Sequence, residues 1–329
     1  MFKKNFLKFS AASACAVILL VITAVSCVSG WNADENISEE NIFVMDAYCE
    51  IMLCGGDTDS VSDLLYELEG CFDRYDEKSG ISVLNSGGTV SENTYTGKFL
   101  KETFALQEKY KGGVEITSGA LTRLWNITGD APHVPEEKDI NAALETVGTD
   151  HVHFSDEGFS LDSGTEIDTG AAAKGYALDC VKELLDEDET AYGVVSMTSS
   201  MLLYGEKPEG EPFRIAIRGA DDGEILGTVE TDSCFLSTSG GYERFFTDEN
   251  GKNYSHILDS VTGYPVETDL ETVTVFCENG LLSDYLSTLI YMDGTKSIGK
   301  HLSSDEYKLV AADNDGNVYV SDGLVFIQE

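Results

Sequence analysis

Ile167-Asp168-Thr169-Gly170-Ala171-Ala172-Ala173-Lys174-Gly175-Tyr176 passes from an apolar, strand-like end into a helix through a corner of small residues. The strand stops at Asp168, and the helix opens after Thr169-Gly170 and runs to about Leu185. Gly170 and the alanines let a ligand approach the backbone closely. The first helical turn offers unpaired N–H groups and the positive end of the helix dipole, and Lys174, one turn in, adds a full charge suited to a phosphate. The segment is neither a Walker loop nor a GxGxxG turn, so it does not support the nucleotide folds built on those loops. Taken alone it also fits an ordinary strand-to-helix turn with a surface lysine.

Working outward, strand-like and helix-like runs intermix. Ile42 to Leu53 alternates as one strand. Val61, Leu64, Leu65, Leu68, Cys71, Phe72 and Tyr75 form the stripe of an amphipathic helix capped near Asp59 or Ser60. Residues 97–111 read as a second helix. Ile140, Ala143, Leu144 and Val147, with Gly148 as C-cap, mark a third. Short strands are expected around Phe154, Phe159 and Ile167. The region Ala191 to Phe246 is strand-rich, with turns at Lys207-Pro208-Glu209-Gly210 and Asp221-Asp222-Gly223. Leu281 to Met292 is helical, and strands flank Asn314-Asp315-Gly316. Helices among mostly antiparallel hairpins predict an α+β fold, a single domain over 41–329 with room for two lobes.

The N-terminus is a different kind of sequence. Lys3, Lys4 and Lys8 precede an apolar run from Ala11 to Val25 that ends in Ala24-Val25-Ser26-Cys27. This reads as an export signal over 1–26. A lone transmembrane anchor is the competing reading, but the run is shorter than the ~20 residues a span requires. Ser26-Cys27 resembles a bacterial lipobox with Ala24 where Leu is usual, which makes Cys27 the expected lipidation site and simple cleavage the alternative. Residues 27–40 then form a polar tether, and the protein is expected on the extracytoplasmic face of the cell membrane. Loss of the leader leaves 18 basic against 59 acidic groups, a field that repels nucleic acid and anionic lipid head groups. Of the eight cysteines, the six after Cys27 contain no CxxC pair and no zinc-finger spacing, so a metal cluster is not expected. Export permits disulfides, while the apolar flanks of several cysteines suit buried thiols.

Three further segments carry chemistry. In Leu282-Ser283-Asp284-Tyr285-Leu286-Ser287-Thr288-Leu289, Asp284 and Thr288 lie four apart and share one helix face. A carboxylate and a hydroxyl are hard oxygen donors suited to Mg²⁺, although a helix cap beside an unrelated threonine has the same spacing. Tyr254-Ser255-His256-Ile257-Leu258-Asp259-Ser260-Val261-Thr262-Gly263-Tyr264-Pro265 is a dense polar loop in which His256 is a candidate base or ligand contact. Ser239-Gly240-Gly241 lacks the GxSxG elbow of a serine hydrolase. Glu115-Ile116-Thr117-Ser118-Gly119-Ala120-Leu121-Thr122-Arg123-Leu124-Trp125 fits either the lining of an aromatic-ring pocket or plain core.

In this order, the Asp-x-Gly-x-x-Ala-Lys-Gly-Tyr segment at 168–176, Ser-His-Ile-Leu-Asp-x-x-Thr-Gly-Tyr-Pro at 255–265 and Ser-Asp-Tyr-Leu-Ser-Thr at 283–288 resemble the ApbE family, the FAD:protein FMN transferases. Weaker agreement lies at Ile81 to Asn85, at Ser118-Gly119-Ala120 with Leu124-Trp125, and at Ser237 to Tyr242, so the resemblance covers about Phe43 to Gly294. It implies Mg²⁺ held by the side chains of Asp284 and Thr288 and the backbone carbonyl of Ala171. It also implies FAD contacts at Met45, Tyr75, Ser118, Gly119, Ala120, Asp168, Lys174 and His256. An acidic protein that binds a negative dinucleotide needs local positive charge from such a metal, lysine or helix end.

The implied reaction takes FMN from FAD onto a Thr or Ser hydroxyl of an exported acceptor flavoprotein, and AMP leaves. Asp284 and His256 are the residues implied to act in catalysis, with the base left open between them. Two alternatives stay open: a lipoprotein that binds or scavenges FAD, and an Mg²⁺-dependent FAD pyrophosphatase yielding FMN and AMP. The sequence departs from the family in two places. Ser199 and Ser200 replace the glycine and asparagine of a Gly-Gly-Asn turn, and Ser260 replaces the proline of an Asp-Pro pair.

Overall fold

The computed structural model describes residues 36–111, 113–220, 224–241 and 244–328. The leader, Cys27, the tether up to residue 35, the turn Asp221-Asp222-Gly223 and Tyr242 lie outside the described residues. In chain order the elements are β1 (Ile37–Val44), β2 (Ala47–Cys54), α1 (Thr58–Phe72), α2 (Gly80–Asn85), α3 (Tyr95–Lys109), α4 (Gly119–Trp125), α5 (Glu137–Leu144), β3 (Val152–Ser155) and β4 (Gly158–Leu161). Then come α6 (Ala173–Asp186), β5 (Tyr192–Met197), β6 (Ser200–Gly205), β7 (Phe213–Arg218), β8 (Ile225–Thr231), β9 (Cys234–Gly240), β10 (Phe245–Thr247), β11 (Asn253–Ser255) and β12 (Leu270–Cys277). The chain closes with α7 (Gly280–Asp293), α8 (Thr295–Leu302), β13 (Lys308–Asp313), β14 (Val318–Val320) and β15 (Val325–Gln328).

Eight strands form one antiparallel sheet in the order β1-β2-β5-β6-β9-β12-β13-β14, and β15-β8-β7 form a smaller one. The alternation within each strand explains the layering. From β5, β6, β9, β12 and β13, Val195, Leu202, Phe235, Val275 and Leu309 point toward the helices. Their neighbours Val194, Leu203, Leu236, Phe276 and Val310 join Phe213, Ile215, Ile217 and Val229 of the small sheet in a second core. The central strands are therefore buried on both faces, as their near-continuous apolar runs require. Helices begin where short polar side chains satisfy the first free amides: Ser79 accepts from Ser82 N, Thr94 from Gly97 N and Asn279 from Leu282 N. This is the α+β architecture expected from the sequence, carried among the described residues by eight helices and mostly antiparallel hairpins. None of those helices is long and apolar enough to cross a membrane.

Several local expectations change. Ile42 to Leu53 is not one strand: the chain reverses at Met45-Asp46, both at positive φ (51° and 55°), and β1 pairs back on β2. Such a turn normally announces itself by Asn-Gly or Asp-Gly, and here it does not. Residues 37–40, read as the end of the tether, are the first half of β1. Asp57, rather than Asp59 or Ser60, caps α1. Helix α5 stops at Leu144, and Gly148 instead opens a 3-10 turn at Thr149–His151. Ile167 is in no strand; its neighbour Glu166 makes one isolated parallel bridge to Ser118. All six described cysteines are free thiols.

Candidate active site

The first turn of α6 lies against α7 at a contact that requires two glycines. A Cβ on Gly175 would sit 2.2 Å from the Gly280 carbonyl oxygen, and one on Gly280 2.3 Å from that of Gly175. Backbone-to-backbone approach therefore excludes any side chain at either position. The two helices are then tied by carboxylates. Asp179 of α6 accepts from Gly280 N and Leu281 N, both at 2.7 Å, and so serves two free amides of α7. Burial pushes its carboxyl up to about 6, against the lowering effect of those two N–H groups. In return Asp284 of α7 accepts from Gly175 N at 3.0 Å.

That last contact changes the corner. The Gly175 amide is diverted to Asp284, and among the described residues no N–H donates to the Ala171 carbonyl. Ala171 itself packs against the apolar cluster of α7. Asp284 is 5% exposed, and its other oxygen accepts from Ser200 Oγ at 3.2 Å. Thr288, 8% exposed and one turn further along the same face, lies 3.0 Å from Ser239 Oγ of β9. Asp284 of α7 thus reaches the first turn of α6, where the preceding Ala171 carbonyl has no N–H donor among the described residues, and Thr288 lies one turn further along α7. No group of three or more His, Cys, Asp or Glu able to hold a metal exists among the described residues. The donors present are hard oxygens around a single carboxylate, which fits a Mg²⁺ ion that completes its shell with phosphate oxygens and water.

Lys174 is half-buried at this helix start, and its ammonium makes no hydrogen bond or ion pair with the described residues. Asp168 just before the corner is engaged: Arg74 bonds it at 3.1 Å and reaches Glu166 at 3.8 Å. His256 is half-buried, with its Nδ1 3.0 Å from the Arg244 carbonyl. Since a carbonyl only accepts, Nδ1 carries the proton and Nε2 presents its lone pair. Burial lowers its pKa to about 4, with help from the Arg244 and Lys174 charges and opposed by the Arg244 carbonyl and Asp168. The ring is neutral at pH 7.

Two clefts meet at Thr128, and none of Ala171, Lys174, His256, Asp284 and Thr288 lines either. One, of about 410 Å³, is lined by Asp46, Ile127, Thr128, Arg244 and Phe245. The other, of about 310 Å³, has Arg74, Tyr75, Asn85, Arg123 and Glu166 among its walls. Tyr75 is 81% exposed at the rim. Met45 does not line either cleft. It sits in the β1–β2 turn with its amide on Glu69 (2.8 Å), while the adjacent Asp46 is clasped by Arg244 at 2.6 Å. Ser118, Gly119 and Ala120 start α4, and Gly119 donates to the Glu166 carbonyl. Trp125 is core: fully buried, it donates to the Gly263 carbonyl at 2.8 Å and ties the Thr-Gly-Tyr-Pro turn to α4. Sequence reasoning missed Asp179, Ser200, Arg74 and Arg244. The first looks like an ordinary acid on an amphipathic helix, and the two arginines act from loops that carry no motif.

The departing turn belongs to the same site. Thr198 and Ser199 join β5 to β6, with Thr198 at φ 61° and its hydroxyl on the Tyr48 carbonyl at 3.2 Å. Ser200, in the place of the usual asparagine, is the residue that reaches Asp284.

The sequence profile of the ApbE family matches residues 45–311. The FAD:protein FMN transferase of Vibrio cholerae is 28% identical over 242 residues, which cover 71% of this chain and 72% of that one. The FAD:protein FMN transferase of Klebsiella pneumoniae is 32% identical over 181 residues, and the match spans 54% of this chain and 55% of that protein. Among solved structures, the ApbE protein of Thermotoga maritima superposes with a TM-score of 0.79 at 27% identity, covering 87% of this chain and 97% of that one. The Vibrio cholerae flavin transferase ApbE shares the fold, with a TM-score of 0.76 at 24% identity over 88% and 98% of the two chains. With its fold, its ordered motifs and most of its length in common with these proteins, the chain belongs to the ApbE family.

Proposed function

We propose that this protein is an Mg²⁺-dependent FAD:protein FMN transferase that esterifies FMN onto a Thr or Ser hydroxyl of an exported acceptor flavoprotein. The observation that carries the reading is the oxygen corner of Asp284, Thr288 and the Ala171 carbonyl, set at a helix N-terminus beside the half-buried Lys174. The relatives, FAD:protein FMN transferases by name, support it.

In this reading the FAD diphosphate lies across the start of α6, where Lys174 and the positive end of the helix balance its charge. Asp284, Thr288 and Ala171 hold the metal, and a bound Mg²⁺ neutralises charge on the diphosphate oxygens. The acceptor hydroxyl oxygen bonds to the FMN-side phosphorus, the bond from that phosphorus to the bridging oxygen breaks, and AMP departs with that oxygen. Both oxygens of Asp284 already accept hydrogen bonds, whereas Nε2 of neutral His256 is open, so His256 takes the hydroxyl proton and, as a weak base, passes it to solvent water or the departing AMP phosphate. The leader and the Ser26-Cys27 junction support a place on the extracytoplasmic face, anchored by lipid at Cys27.

The mature chain incubated with FAD, Mg²⁺ and an acceptor flavoprotein domain should add the mass of one FMN moiety to the acceptor, and EDTA should prevent it. AMP release without labelled acceptor would mark a pyrophosphatase. FAD retained intact would mark a binding protein.

A further inference from the structure

Strand β9 turns Ser237 and Ser239 toward α7, where an ordinary sheet–helix interface would place apolar side chains. Ser239 Oγ lies 2.9 Å from Ser287 Oγ and 3.0 Å from Thr288 Oγ1, and Ser287 Oγ lies 2.9 Å from the Asp284 carbonyl. Each hydroxyl has one proton. A carbonyl only accepts, so the Ser287 proton is committed to Asp284. Ser287 must then accept from Ser239, and Ser239, its own proton spent, must accept from Thr288. One direction satisfies all three contacts. The competing bond from Thr288 to the Asp284 carbonyl is 3.5 Å long, too long to divert the proton.

We propose that Ser239 is a positioning residue for cation binding: it takes the Thr288 proton toward the sheet and leaves the Thr288 lone pairs to face the Asp284 corner. The inference rests on the reading of Thr288 as a cation ligand. Without Ser239, a helical threonine reverts to its usual partner, the carbonyl four residues back, and the hydroxyl turns with it.

Ser237 supplies a matched control. It is fully buried on the same strand face and pairs with Ser283 of α7 at 3.0 Å, yet neither residue touches Thr288. The test is an Mg²⁺ titration of full-length protein with FAD and an acceptor flavoprotein domain, read by thermal shift and by AMP release. Ser239→Ala should raise the half-saturating Mg²⁺ concentration about 10-fold, the usual cost of losing a group that orients a metal ligand, with a much smaller loss of rate at saturating Mg²⁺. Ser239→Thr, which keeps the hydroxyl, should restore the midpoint, and Ser237→Ala should leave it in place. Should Ser239→Ala not fold, Ser239→Cys, with its weakly accepting sulfur, carries the same expectation. A wild-type midpoint in the Ser239 variant, or an equal shift in Ser237→Ala, overturns the proposal while the cation reading survives. A wild-type protein whose stability and AMP release ignore Mg²⁺ overturns both.

Discussion

The two faces of the eight-stranded sheet are built from the same strands and do different work. Toward the small sheet, β6, β9 and β12 present Leu203, Leu236 and Phe276, which close a core. Toward α7, β6 presents Ser200 and β9 presents Ser237 and Ser239, and the helix answers with Ser283, Asp284, Ser287 and Thr288. Burying that many polar groups stabilises little, because each exchanges a bond to water for one to protein. What the hydroxyl face provides is orientation: every proton is committed, so the carboxylate and threonine at the corner have one arrangement. Both faces hold the molecule together through their apolar clusters, and the hydroxyl patch under α7 also aims it.

The largest expected effect separates the faces by activity. Asp284→Ala should reduce both FMN transfer and AMP release on the order of 1,000-fold, the scale of several kcal/mol of lost charge stabilisation. A rate within a few-fold of wild type would remove the metal assignment. Phe276→Ala, behind the same strand region on the other face, should cost about 3–5 kcal/mol of stability by denaturant titration while the rate per folded molecule holds. If activity fell with Phe276 while stability held, the division between faces would be wrong.

Smaller effects sharpen the picture at the helix junction. Asp179→Ala strands two amides of α7 and should cost about 1–3 kcal/mol. The two titrating groups near the site pull stability in opposite directions. Asp179 titrates near 6 in the folded protein, above its unfolded value, so its contribution is present at low pH and lost as pH rises through 6. His256 is held near 4, below its unfolded value, so its contribution is full above pH 6.5 and is lost as pH falls from there toward 4. The melting-temperature difference between wild type and His256→Gln should therefore shrink across pH 6.5 to 4; a difference flat with pH would contradict the buried, neutral imidazole. Thr198→Gly should be the mildest change, stabilising by about 1 kcal/mol, because a β-branched residue at φ 61° carries strain a glycine does not.

Much of this was readable before any coordinates. The Asp284–Thr288 pairing follows from helical spacing, and the small-residue corner at 168–176 announced a helix start with room for a ligand. The rest depends on contacts between distant segments. Asp179 is one carboxylate among 59 acidic residues, and only the Gly175–Gly280 approach gives it two amides to hold. Ser200 registered only as a missing asparagine, since nothing local says that its hydroxyl meets Asp284. The Met45-Asp46 reversal was hidden because Met disfavours positive φ, Asp46 is not followed by the glycine of a typical hairpin turn, and the apolar run carries straight through it.

The most direct test is crystallographic, with FAD and Mn²⁺ in place of Mg²⁺ and the ion located by anomalous scattering. The predicted result is a peak within coordination distance of an Asp284 oxygen, Thr288 Oγ1 and the Ala171 carbonyl, touching the FAD diphosphate. A peak elsewhere, or a diphosphate bound away from the start of α6, would contradict the account.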